Sequence, residues 1–265
     1  MKKFWFILTA LVATCFLVAC SGSQGVSPKT IKEKKKMVVA TESEFAPFEF
    51  KSLVNGKDTL VGADIELAKA IGEKLGVKVE FSVMSFDNVL ANVQSGKADI
   101  AIAGISVTDE RKKVYDFSDS YYTSENVVIV KKDKVNDYTS TDSLAKQTVG
   151  TQKGSVQETV AKKQIPKASV VSLTSNGEMI NELKSGQLQA VVLEKAIAEG
   201  YIAQNDDLTL ANFNLKSDGT DAYAVATRKG SDDLLKEINA VIKETKDSGK
   251  FDQWLKEAST YKQSK

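Results

Sequence analysis

The 265-residue sequence contains no histidine, two cysteines and three prolines. Without histidine there is no base for a Ser-His-Asp or Cys-His hydrolytic arrangement, and the commonest neutral metal ligand is missing too. The acidic stretch DKVNDYTSTD (Asp133 to Asp142) lacks the glycine and terminal glutamate of an EF-hand loop, so no metal or other cofactor is expected. An excess of one charge is absent as well. Thirty-six Lys and Arg face 35 Asp and Glu, a balance that makes nucleic acid an unexpected partner.

A long hydrophobic run occurs only at the start. MKKFWFILTALVATCFLVAC has two lysines, an apolar stretch from Phe4 to Ala19 and then small residues, which is the pattern of an export signal over residues 1–19. As a membrane helix it is short of the ~20 residues that a bilayer crossing prefers. Leu17-Val18-Ala19-Cys20 resembles the lipobox of bacterial lipoproteins, which implies cleavage before Cys20 and lipid (palmitate) on its sulfur. Cys15 would leave with the signal, so the mature chain has no second cysteine for a disulfide. KTIKEKKK (Lys29 to Lys36) shows no amphipathic period and reads as the solvated part of a tether spanning residues 20–36.

From Met37 onward, β-like and helix-like stretches alternate, which argues for an α/β architecture. MVVAT, VKVEFSV and ADIAIAG read as strands. ADIELAKAIGEKLG places Ile65, Ala68, Ile71 and Leu75 on one helical face, with Asp64 suited to cap its start and Gly76 its end. The second half repeats the order with TVGT, SVQETVAKK, SVVSLTS, NGEMINELKSG and QAVVLE, and Ser175 and Glu178 have capping-box spacing. Leu234, Leu235, Ile238, Val241 and Ile242 recur at helical spacing before a break at Gly249 and a last helix around Trp254. About 230 folded residues suit two modest lobes better than one large core.

One loop concentrates polar chemistry. In SGKADIAIAGISVTDERKKVYDFS (Ser95 to Ser118) an apolar strand runs into Gly104, Ser106, Thr108 and Arg111. Main-chain N–H groups, a hydroxyl and a planar guanidinium at the carboxyl end of a strand suit a carboxylate. Taken alone, Arg111, Lys112 and Lys113 also read as a solvated basic turn.

GKADIAIAGISVTDERKKVYDFSDSYY resembles the signature of the polar amino-acid-binding proteins of ABC importers, the solute-binding family that includes the glutamine- and lysine/arginine/ornithine-binding proteins. ATESEFAPFEF, VGADIELAKAIGEKLG and TVGTQKGSVQET match three further family segments in the family's order, and the similarity runs from Met37 to Tyr261. It implies an α/β, two-lobe periplasmic-binding-protein-like fold, each lobe a mixed sheet flanked by helices, with the ligand cleft between them. Lobe 1 is expected over residues 37–122 and 224–265, lobe 2 over 125–220, with hinges near Tyr122 to Asn126 and Gly219 to Tyr223.

The resemblance also assigns residues. Ser106 and Arg111 match the groups that grip the ligand's α-carboxylate, with the backbone of Gly104 beside them and Ser155 as the second lobe's donor at a helix N-terminus. Phe45 matches the aromatic that covers the ligand side chain, often Tyr in the family, and Phe86 another wall position. Glu194 stands where the family usually has the Asp that holds the α-ammonium. Glu42 and Gln152 fall at side-chain-selecting positions and favour arginine or lysine, with glutamine kept open and Lys153 able to shift the balance.

The implied protein is a monomer on the outer face of the cell membrane, of Gram-positive type, anchored through lipid at Cys20. It delivers a polar amino acid to the permease subunits of an ABC importer. Two other classes stand beside this reading. Glu194 is the one candidate general acid if the chain were an exported dehydratase-like enzyme, but no second acid or base accompanies it. A third class is a sensor or adhesin at the surface: the absence of a cytoplasmic signalling segment argues against a sensor, and adhesion is not readable from sequence.

Overall fold

The computed structural model describes residues 25–217, 219 and 221–264. The expected export signal and Cys20 lie outside them. Among the described residues no helix is long and apolar enough to cross a membrane.

The chain begins with α1 (Pro28–Lys34), β1 (Lys36–Thr41) and a three-stranded antiparallel hairpin sheet of β2 (Glu44–Phe45), β3 (Glu49–Val54) and β4 (Lys57–Val61). There follow α2 (Ala63–Leu75), β5 (Lys78–Val83), α3 (Phe86–Gln94), β6 (Ile100–Ala101), the single turn α4 (Asp109–Lys112) and β7 (Tyr115–Phe117). After a crossing strand, β8 (Tyr122–Thr123), come β9 (Asn126–Lys131), β10 (Thr148–Gln152), α5 (Val156–Gln164), β11 (Ser169–Leu173), α6 (Asn176–Ser185), β12 (Ala190–Glu194), α7 (Lys195–Ala203) and β13 (Leu208–Leu210). The chain returns through β14 (Ala222–Tyr223) to β15 (Ala226–Arg228), α8 (Asp232–Asp247) and α9 (Lys250–Ala258).

Two five-stranded mixed sheets result, ordered β5-β1-β6-β15-β7 and β11-β10-β12-β9-β13. In each, three parallel strands sit beside an antiparallel one that follows a crossing: β15 pairs antiparallel to β6, and β9 antiparallel to β12. The crossings β8 and β14 pair with each other, so both passages between the lobes lie side by side. Parallel strands with helices on both faces need apolar side chains throughout, and every residue of AVVLE in β12 is buried. The helix faces behave as their spacing predicts. Ala68, Ile71 and Leu75 of α2 are buried together with Leu234, Leu235, Ile238, Val241 and Ile242 of α8, and Ile65 is buried as well.

The Lys29 to Lys36 stretch departs from expectation. Most of it lies in α1, where Ser27 caps the N-terminus, Pro28 occupies the first turn and Ile31 is fully buried. One apolar residue in seven leaves no period to read, yet it is enough to dock a short, well-capped helix. Both ends of the described chain are fastened to the same lobe: the Val26 N–H donates to Ser231 Oγ at 2.8 Å, and the Ser264 N–H to the Lys51 carbonyl at 2.7 Å. A chain beginning at Ser21 therefore retains the whole described fold.

Candidate functional site

Strands β1, β10 and β12 end on the same side of their sheets and deliver Glu42, Gln152 and Glu194 to the cleft, where ligands of open α/β sheets settle. The lobes are in contact across it. Gln152 Nε2 donates to both oxygens of Glu42, at 3.0 and 3.2 Å. Arg111 Nη2 donates to the Gly154 carbonyl at 3.1 Å. Lys153 Nζ reaches Asp87 Oδ2 at 3.0 Å, a further ion pair between the lobes. Gly154 permits this closeness: its φ is +78° and an added Cβ would stand 3.2 Å from the Asp87 main chain.

The residues nominated for the ligand's carboxylate form one group. Thr108 caps α4 by accepting the Arg111 N–H, and this turn lays the guanidinium over the Phe86 ring, 5.7 Å from its centroid. Nη1 donates to the Ser106 carbonyl at 2.7 Å, which fixes the guanidinium without using a carboxylate. Burial brings Arg111 down to about 10 against the pull of Glu194, so it is cationic at neutral pH. Ser155 precedes α5 and is buried, but its hydroxyl donates to the Gln152 carbonyl at 2.7 Å, and α5 has no side-chain cap. The open donors there are main-chain N–H groups.

Gly104 differs from expectation in what it offers. Its N–H donates to Asp64 Oδ2 at 3.0 Å, so it is committed within lobe 1, and only the carbonyl is left for a ligand, where it suits an ammonium rather than a carboxylate. Its φ of +52° and a Cβ position 2.5 Å from the Phe45 ring leave no room for a side chain. Asp64 likewise does not cap α2, a place taken by Gly62. It is fully buried and also accepts the Tyr121 hydroxyl at 2.7 Å.

Glu194 is buried, and burial pushes it up to about 7, opposed by its own main-chain N–H, by Gln157 and by the Arg111 charge. Burial takes Glu42 up to about 8, with Gln152 opposing and Glu44 and Glu194 adding. Glu194 thus feels both Arg111 on one side and Glu42 on the other. Behind them Glu49 is raised well above the usual carboxylate range by burial and then by Asp64, which burial places at about 6. Phe45 packs on Gly104 and lies 5.9 Å from Phe48 and 6.3 Å from Tyr223 between ring centroids.

Seven of the nine nominated residues are therefore joined by contacts or by charge, and the other two, Phe45 and Gly104, pack on each other. Several neighbours carried no signal in the sequence: Glu44, Glu49, Gln157 and Tyr223 are separated from the motif residues they serve by turns that only the fold closes. Among the described residues no cluster of three or more Cys, Asp or Glu is arranged to hold a metal ion.

A family model described as bacterial extracellular solute-binding proteins, family 3, matches residues 37–258. The arginine-binding extracellular protein ArtP of Bacillus subtilis (strain 168) is 34% identical over 261 residues, 97% of each chain. The glutamine-binding protein GlnH of the same organism is 32% identical over 277 residues, covering 97% of this chain and 98% of its own. A crystal structure of the amino acid ABC transporter substrate-binding protein AbpA from Streptococcus pneumoniae, bound to L-arginine, superposes with a TM-score of 0.86. It is 50% identical, covering 89% of this chain and 100% of its own.

Proposed function

We propose, for a chain that belongs to the bacterial extracellular solute-binding proteins of family 3, that its cleft captures L-arginine for an ABC importer. It is a binding protein rather than an enzyme, and it works outside the membrane. The observation that carries the arginine reading is the order of charges along the cleft. The Arg111 charge acts on the buried Glu194, Glu194 acts in turn on the buried Glu42, and Glu42 meets Gln152 of the other lobe. A bound α-amino acid with a long cationic side chain presents the complementary order: carboxylate, ammonium, side-chain cation.

Arg111 and Ser106, with the main-chain N–H groups of the first turn of α5, take the carboxylate. Glu194 and the Gly104 carbonyl take the ammonium. Glu42, steadied by Gln152, takes the guanidinium, and Phe45 and Phe86 wall the cleft. Glu42 ionises when the cation arrives because the cation supplies what burial had removed. Lysine fits the same order with fewer donors, and glutamine, which GlnH's name attaches to that relative, brings no charge to draw the proton from the buried Glu42 and so gains no ion pair there.

Both lobes bring contacts, so ligand favours closure about the paired β8 and β14, which act as the hinges. The closed monomer docks on permease subunits, and lipid at Cys20 keeps it near them, raising effective concentration without any new contact. The test is Glu194→Gln, titrated with arginine and with its des-amino analogue. Arginine should lose about tenfold or more in affinity and the analogue little. Equal losses would remove Glu194 from the ammonium site.

A further inference from the structure

The cleft has a second meeting of the lobes that the ligand reading does not use. Glu44 leaves β2 on the lobe 1 side and places Oε2 at the N-terminus of α6 in lobe 2. There it accepts the Ser175 hydroxyl at 2.7 Å and the Gly177 N–H at 3.1 Å. Its main-chain carbonyl accepts the Tyr201 hydroxyl of α7 at 3.3 Å. Ser175 fills both of its roles at once, donating to Glu44 while accepting the Glu178 N–H as the cap of α6. A carboxylate on the first turn of a ten-residue helix gains from charge-assisted hydrogen bonds and from the helix dipole together. None of these partners is among the ligand contacts proposed above, and all of them are separated when the lobes part.

The geometry points to Glu44 as a closure latch: it stabilises the closed cleft by capping α6 across the lobes, and so sets ligand residence time without choosing the ligand. The assignment rests on the cleft being the ligand site, whereas the latch itself consists of contacts between protein groups alone. Closure is an equilibrium, and whatever stabilises the closed form adds to the apparent affinity of every ligand that needs it. Loss of the latch therefore speeds release more than it slows capture. Glu44 also lies close enough to Glu42 to raise it, so its removal weakens the field on a cationic side chain as well. Ser175→Ala removes the latch from the other lobe and leaves that charge in place.

The experiment uses the chain beginning at Ser21, with spin labels at Lys29→Cys and Lys167→Cys, exposed positions in the two lobes. Lobe separation is measured by pulsed dipolar spectroscopy without ligand, and arginine and lysine binding by stopped flow. Glu44→Ala and Ser175→Ala should each shift the ligand-free distance distribution toward the open form. Each should raise the dissociation rate of both amino acids by the same factor, about tenfold, with association changed less than about threefold. Ser175→Thr, which keeps the hydroxyl, should restore both readouts, and because Glu44→Ala leaves the Ser175 cap of α6 in place, a shift shared by Glu44→Ala and Ser175→Ala reports the lost crossing contact rather than lost capping. An unchanged distance distribution in both variants overturns the latch. So does an arginine-to-lysine affinity ratio that moves by more than about threefold in Ser175→Ala, because Ser175 would then be reading the ligand. If neither amino acid binds the unmutated chain, the arginine reading fails, and the ligand-free distances still decide the latch.

Discussion

The two lobes share one topology and turn different chemistry toward each other. Lobe 1 faces the cleft with Arg111 and the buried Glu42, and behind Glu42 lie the buried Asp64 and Glu49, all three carboxyls raised by burial. Lobe 2 faces it with neutral donors, namely Gln152, Ser175 and the N–H of Gly177, and with one carboxyl, Glu194, also raised by burial. Neutral donors satisfy whatever oxygen lobe 1 presents and cost little to expose when the cleft opens. Buried charges are costly to leave unpaired, so they discriminate between ligands. The difference assigns recognition mainly to lobe 1 and closure mainly to lobe 2, with Glu194 the point at which lobe 2 also takes part in recognition.

The largest expected effect breaks the lobe 1 side. Arg111→Ala removes a carboxylate anchor common to all amino acids, and truncating one member of a buried, hydrogen-bonded charge pair costs about 2–5 kcal/mol. Calorimetry should show a loss of about a hundredfold or more for every amino acid tried, and retained affinity would move the anchor elsewhere. Glu42→Gln should come next. A hydrogen bond to a charged group contributes about 1.5–3 kcal/mol, so arginine should weaken by about thirtyfold while glutamine changes by no more than about threefold. Equal changes for the two would mean that side-chain charge is read by another group.

The pH response sharpens the same contrast. Burial places Asp64 at about 6, Glu194 at about 7 and Glu42 at about 8. Because these values lie above those of the unfolded chain, the ligand-free fold holds protons that the unfolded chain gives up near pH 4. Their stabilising contribution is whole below that pH and is lost as pH climbs through about 6 to 8, which should appear as a falling Tm without ligand. A cationic ligand favours the ionised carboxylates, so arginine affinity should rise over the same interval by about tenfold. Binding near pH 7 should release protons, visible as a heat that depends on the buffer's ionisation enthalpy. A flat profile would mean that Glu42 and Glu194 are already ionised in the free cleft. The smallest effect belongs to the rim: Lys153→Ala removes a half-exposed ion pair with Asp87 worth under about 1 kcal/mol, so affinity should fall less than about fivefold.

The sequence made the repeating elements legible because each carried its own period. Ile65, Ala68, Ile71 and Leu75 mark the buried face of α2, AVVLE reads as a buried strand, and Gly76 ends its helix in the left-handed conformation. The candidate site residues were visible through motif positions that the fold then brings together. What remained hidden depends on contacts between distant segments. Asp64 looked like a helix cap, and only the approach of Gly104 and Tyr121 turns it inward. Gly104 offered an N–H on paper that Asp64 takes in the fold. Glu44 sits 131 residues from Ser175, so nothing local in TESEFAPFEF announces its partner. In α1 a single buried isoleucine and a good cap outweighed a run of lysines that read as solvated chain.

The central claim, that the cleft is an arginine site selected by a buried carboxylate, is tested most directly by titration calorimetry of the chain beginning at Ser21. The sample is unfolded and refolded first to strip any carried ligand, then titrated with arginine, lysine, histidine, glutamine, glutamate and cystine. The expected result is saturable one-to-one binding of arginine, weaker binding of lysine and little heat from glutamate. A folded sample that prefers glutamate, or that gives no heat with any of the six, would contradict it.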